Sequence, residues 1–238
     1  MKTNIYKTIL WVCILAIAMA FLESAIVVYL RKLYYPEGFC FPLKSIEFDI
    51  AVTEFLREIA TLIMLIAIGI IAGRKNIERF AFFIFSFAIW DIFYYVFLKL
   101  LISWPESLMT WDVLFLVPVT WVGPVLGPII NSLSMIILAL LIIFFVQKNG
   151  NARVVWIEWI LLIVGSLIII ISYTEEYVRF MINDFTFFQL IISNNSQAIL
   201  SKALTFVPQF YNWFIFLIGE LMFLIAFVMV LIRNRKLS

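Results

Sequence analysis

The 238-residue chain is 65% hydrophobic and 18% aromatic, with only 13% charged residues and a net charge of +2. Soluble domains carry about 45 to 50% apolar residues, so this composition describes a polytopic membrane protein, and six spans of about 20 residues would use half the length in a single domain. Basic residues stand at the ends of apolar runs, which excludes a nucleic-acid-binding stripe, and the absence of histidine excludes His-based hydrolases, HExxH metalloproteases, His-ligated haem and most zinc or copper sites.

Met1 to Lys7 is short and basic, and residues 8–30 form a continuous apolar run carrying Glu23. The start has the layout of a signal peptide, with Ala18-Met19-Ala20 as a cleavage pattern, but the run continues to Leu30 and reaches spanning length, so it reads as a retained first helix. Arg31 to Ile50, with Pro36, Gly38 and Pro42, has loop chemistry, with Tyr34 and Tyr35 as interfacial anchors. Cys13 in the first run and Cys40 in this loop read as two unpaired thiols. The second span is expected over 51–73, followed by a tight basic turn.

The third span, residues 80–103, reads FAFFIFSFAIWDIFYYVFLKLLIS and carries Asp91 near its middle. A carboxylate at that depth costs about 2.5 to 3.5 kcal/mol among lipid tails, so it is expected to face protein or water. In the stretch that follows, SWPESLMTWDVLFLVPVTWVGPVLGPIINS, Ser103 is placed to cap a short helix starting near Pro105. Pro118, Pro124 and Pro128 with Gly123 and Gly127 break any longer one. GPVLG has the spacing of a close helix contact, although Pro124 lies inside it. The expectation is a broken or re-entrant segment over 105–127 and a fourth span from about 128 to 146.

A polar turn leads to the fifth span, 154–173, where Glu158 near the interface between Trp156 and Trp159 is consistent with snorkelling. Residues 174–209 are expected to lie on the external surface, with a glycosylation sequon at Asn194-Asn195-Ser196. The sixth span, 210–232, has Glu220 at its centre. The expected fold is thus an all-α, six-span helical bundle. Lys2, Lys7, Arg74, Lys75, Arg79, Lys148, Arg153, Arg233, Arg235 and Lys236 fall on one side of it with only Glu78 among them. The positive-inside rule makes that side cytoplasmic, with both termini there, in a cell membrane.

With about 100° of turn per residue, Glu54, Arg57, Glu58 and Thr61 share one face of the second span, and Asp91, Tyr94 and Tyr95 share one face of the third. Asn212, Trp213 and Glu220 do so on the sixth, while Asn131 and Ser134 give the fourth a polar side. These faces point to a shared pocket, open to the external side and lined by Glu23, Glu54, Glu58, Asp91 and Glu220, with Arg57 as counter-ion, Tyr94 and Tyr95 as hydroxyl donors, and Asn131 nearby. Carboxylates crowded at low dielectric cannot all stay ionised, which suits proton uptake and release, and the same oxygens suit a divalent cation. In the bland alternative Arg57 pairs with Glu54 or Glu58, while Asp91 and Glu220 bond to Trp and Tyr as interhelical glue.

Four stretches, FLESAIVVYLRKLYYPEGF, EFLREIATLIML, WDIFYYVFLKLL and WPESLMTWDVLFLVPVTWVGPVLGP, resemble a family of uncharacterised prokaryotic polytopic integral membrane proteins. The resemblance covers about the first 130 residues and implies a bacterial or archaeal cytoplasmic membrane; it brings no activity. No Walker loop, dinucleotide fingerprint or nucleophile elbow is present, so no cofactor is specified. The functions in view are a carrier or binding protein for a small solute or ion, with a proton or lipid ligand as further options, a membrane enzyme acting on a lipid, quinone or isoprenoid, and a scaffold subunit whose acids are purely structural.

Overall fold

A computed structural model of the protein describes residues 5–115, 119–150, 152–186, 189–190 and 197–236. Among these residues the chain forms seven helices and one two-stranded sheet. The helices are α1 (Ile5–Tyr34), α2 (Phe48–Ala72), α3 (Asn76–Ile102), α4 (Leu126–Asn149), α5 (Trp156–Met181), the short α6 (Gln197–Ala203) and α7 (Trp213–Lys236). All but α6 are long and apolar enough to cross a membrane, so the protein is a multi-pass membrane protein with an all-α bundle. Exposed large side chains such as Ile71, Leu100, Leu167 and Phe214 form the lipid-facing surface that such a bundle requires. Cys13 and Cys40 are free. Pro118 and the Asn194 sequon lie outside the described residues.

The proline-rich segment interrupts the helices, but as an antiparallel hairpin rather than a short interfacial or re-entrant helix. Strand β1 (Trp111–Phe115) pairs with β2 (Trp121–Pro124), setting Asp112 opposite Gly123 and Val113 opposite Val122. Ser103 does not start a helix there: its φ of 58° places it in the left-handed region as the C-cap of α3, and its N–H donates to Lys99 O at 3.1 Å. Lys99 turns back onto the same helix end, its Nζ donating to Pro105 O at 2.8 Å. The hairpin base is closed by Val125 N–H to Thr110 O at 3.0 Å and Leu126 N–H to Leu108 O at 2.8 Å. Pro128 falls in the first turn of α4, where a missing N–H costs nothing.

Two helices run further than their hydropathy suggests. The last turn of α1 includes Arg31, which is buried rather than in a loop, and α5 continues through Thr174, Glu175 and Glu176 to Met181. Asn212, expected beside Glu220, instead precedes α7, where its Oδ1 accepts from Ile215 N–H at 3.3 Å as an N-cap.

The bundle is built in two halves. In one, α3 packs against α1, α2 and α4 around Ala81, Phe82, Phe85 and Ala139; in the other, α5 packs against α7. Gly165 and Gly219 let those two backbones meet, since a Cβ on Gly219 would stand 2.8 Å from Gly165 O and 2.5 Å from Ile169. Helix α4 joins the halves by its contact with α7, and β2 joins them by its contact with α5. The terminal end holds Ile5, Lys236 and the turns around Lys75 and Gly150; the hairpin end holds β1 and β2.

Candidate functional site

The polar face of α3 is the starting point. Asp91, Tyr94 and Tyr95 lie three and four residues apart and therefore project to one side. Ser132 on α4 donates its hydroxyl to Asp91 Oδ2 at 2.8 Å, and Oδ1 makes no hydrogen bond among the described residues. One turn further up, the Tyr95 hydroxyl donates to Asp112 Oδ2 at 3.2 Å. Asp112 Oδ1 accepts from Arg31 Nη2, also at 3.2 Å. The Arg31 guanidinium also packs on two aromatic rings, 3.6 Å from the centroid of Trp104 and 4.5 Å from that of Phe39. Burial pushes the Asp112 carboxyl above the ordinary aspartate range, while Arg31, the Val113 N–H and the Tyr95 hydroxyl pull it back. This arrangement ties the hairpin to α1 and α3 together.

A second ionic group links α1 to α2, which otherwise barely touch. Arg57 forms ion pairs with Glu23 across the helices and with Glu54 one turn earlier at 2.8 Å. Thr61 donates to Arg57 O at 3.1 Å, completing the face that the spacing predicted. Glu58 makes neither a hydrogen bond nor an ion pair among the described residues.

Both groups border one cavity of about 500 Å³ between the two halves of the bundle. Its hairpin end is polar, with Glu23, Arg57, Glu58, Asp91, Tyr94 and Asp112 on the wall. Toward the terminal end it becomes apolar, with Ile84, Met135, Leu138, Leu162, Phe223 and Phe227. Val113, Leu114, Phe115 and Trp121 of the hairpin cross the end at which an external opening was expected. Helices α3 and α5 form opposite walls and are not a packed pair; the Phe80 and Trp159 rings meet at the terminal end with centroids 5.0 Å apart. On α5 between those limits Ser166 lines the cavity and is exposed. Trp90 Nε1, Trp121 Nε1 and Asn131 Oδ1 are buried polar atoms of lining residues with no hydrogen-bond partner among the described residues.

Of the residues singled out in the sequence, the fold brings Glu23, Arg57, Glu58, Asp91, Tyr94, Tyr95 and Asn131 to this cavity. Glu54 stands behind Arg57. Glu220 is elsewhere, on the face of α7 toward α4, where its Oε2 accepts from Ser134 at 2.6 Å and its Oε1 has no partner among the described residues. The partners of Asp91 and Glu220 are thus serines of α4 rather than Trp or Tyr. Ser132 and Ser134 are two positions apart on a helix, about 200° around it, and so reach opposite neighbours.

Sequence reasoning missed the pairing of Arg31 with Asp112, the first assigned to a loop and the second to the broken segment; the only signal was a lone Asp in the apolar WDVLF stretch and two cations, Arg31 and Lys32, at the end of α1. It also misplaced the role of GPVLG. Gly123 and Gly127 both make room for Tyr173: a Cβ on Gly123 would stand 2.9 Å from its ring and one on Gly127 2.7 Å from its hydroxyl, and that hydroxyl accepts a hydrogen bond from Asn131 at 2.8 Å.

At the terminal end Glu158 is fully buried, not snorkelling. Arg233 grips both of its oxygens, and Val155 N–H donates to Oε2 at 2.8 Å, which caps α5. Asn234 beside it accepts from Arg153 N–H at 2.9 Å and donates to Arg153 O at 3.0 Å. Every one of these groups is spent on its neighbours. No group of three His, Cys, Asp or Glu able to hold a metal occurs among the described residues. In comparison with known proteins, no family model, no curated protein and no solved structure matches this chain.

Proposed function

We propose that this membrane protein is a carrier or binding protein for a small amphipathic molecule, held in the cavity between its halves with its polar part toward Glu23, Glu58 and Asp91. The observation that carries this reading is the polarity gradient within one hollow of about 500 Å³, carboxylates and hydroxyls at one end and aliphatic and aromatic side chains at the other. Ligand sites have this construction: mostly apolar walls with a few placed polar groups. A scaffold that used acids only to lock helices would seat each one in a closed interface, as happens at Glu158. The molecule reaches the cavity sideways from the bilayer, between α3 and α5, which among the described residues are not a packed pair. The basic residues gathered at the terminal end support a cytoplasmic side for that end and an external side for the hairpin in a cell membrane, by the positive-inside rule.

The test is organic extraction of the purified protein followed by mass spectrometry. Wild type is expected to retain a small molecule that is absent from lipid and detergent blanks, and Met135→Trp, which fills the apolar part, is expected to lose it while keeping its thermal stability within about 3 kcal/mol, the range of an overpacked core. Identical extracts from both proteins and the blank overturn the reading.

A further inference from the structure

Charge pairing around the cavity defines what it accepts. Arg57 is committed to Glu23 and Glu54, and Arg31 to Asp112. That leaves Glu58 and Asp91 on the wall, from α2 and α3, with no ion pair to either among the described residues, although the Arg57 guanidinium next in sequence is within electrostatic reach of Glu58. Asp91, at the middle of α3, lines the hollow with one oxygen held by Ser132 and the other without a partner among the described residues. Next to it, Phe87, Trp90, Tyr94 and Tyr173 present ring faces or edges to the same space. Aromatic faces attract cations and repel anions, and they do so most strongly where water is excluded. An anionic headgroup would meet two carboxylates for the one committed guanidinium on the wall, a like-charge juxtaposition that costs several kcal/mol.

We infer that the ligand is a lipophilic organic cation, an amine or onium group attached to an apolar body, with its charge toward the acidic wall that Asp91 and Glu58 contribute to and its body against Met135, Leu138 and Phe223. This rests on the proposal that the cavity binds a small amphipathic molecule, and adds the sign of its charge. The unpartnered Asn131 Oδ1 supplies a further acceptor for an N–H of a primary or secondary amine.

Two ions of the same shape and opposite charge, tetraphenylphosphonium and tetraphenylborate, separate charge from size. Equilibrium binding of each is measured on the protein in nanodiscs of zwitterionic lipid, with empty nanodiscs subtracted. The phosphonium is expected to bind saturably, at least tenfold tighter than the borate. Asp91→Asn and Glu58→Gln together are expected to weaken the phosphonium at least tenfold, with Met135→Trp removing it. Arg235→Gln, an exposed change away from the cavity, is expected to leave binding unaltered and controls for surface charge. Equal or tighter borate binding overturns the cation class while leaving a binding cavity in place. Saturable phosphonium binding that persists unchanged in the double variant also overturns it, because the charge then sits elsewhere. If neither ion binds, the inferred class is wrong, and the extraction experiment decides separately whether the cavity holds any molecule at all.

Discussion

Glu158 at the terminal end and Asp91 at the cavity are both carboxylates inside spanning helices, and the bundle treats them in opposite ways. Glu158 has no exposed surface, and its oxygens are filled by Arg233 and a helix N-terminus. Asp91, at the middle of α3, is only half-buried: it lines a hollow and has a single neutral partner, Ser132. The first arrangement recovers desolvation cost through paired charges and hydrogen bonds; the second leaves part of that cost standing. An intramembrane acid therefore indicates a site only when its surroundings stop short of satisfying it.

The comparison breaks most readily at the terminal end. Arg233→Ala strands a buried carboxylate and is expected to cost about 3 to 5 kcal/mol, read as a lowered unfolding temperature in detergent. Adding Glu158→Leu should return most of that loss, and a variant that unfolds like wild type without Arg233 would mean the pair does not hold the end together. Next in size, Asp112→Leu leaves Arg31 among Trp104 and Phe39 without its acid, expected to cost about 3 kcal/mol by the same reasoning and to expose the hairpin to limited proteolysis. Unchanged protease resistance would show that the hairpin is held by its apolar contacts alone. Gly219→Ala forces a methyl group toward Gly165 O and Ile169 at the α5 and α7 crossing, expected to cost about 1 to 3 kcal/mol in the same unfolding assay. The smallest stability effect is expected from Asp91→Asn, under about 1 kcal/mol, since Ser132 still finds an acceptor. That variant should nonetheless lose the retained ligand; if it unfolds as easily as Arg233→Ala, the two acids do the same job and the contrast fails.

Much of this architecture was legible from residue patterns, and the failures have physical causes. Six apolar runs of spanning length lead directly to six helices, because lipid leaves the backbone no other way to satisfy itself. The face shared by Arg57 and Thr61 follows from helical periodicity, and the fold realises it. Periodicity along one helix says nothing about rotation relative to the next, which is why Glu220 was grouped with Asp91 although α7 turns it toward Ser134. The proline-rich stretch was read correctly as breaking the helix, and Pro124 does stand in a strand, but a break does not specify what replaces it. Thr174, Glu175 and Glu176 were assigned by their polarity to a surface segment beyond the fifth span, whereas α5 continues through them and Asn212 Nδ2 and the N–H groups of Gln209 and Phe210 bond the two glutamates.

The hairpin hangs between the two halves of the bundle by two different fastenings. Through Asp112 it is pinned ionically to α1, and through Gly123 it is wedged sterically against the Tyr173 ring on α5. Any separation of the halves wide enough to release a bound molecule must undo one fastening and can retain the other. The hairpin runs directly into α4 through Val125, so it stays with the half that holds α1, α3 and α4, like a door leaf on its hinge, and the bolt to be drawn is the aromatic fit of Gly123 against Tyr173.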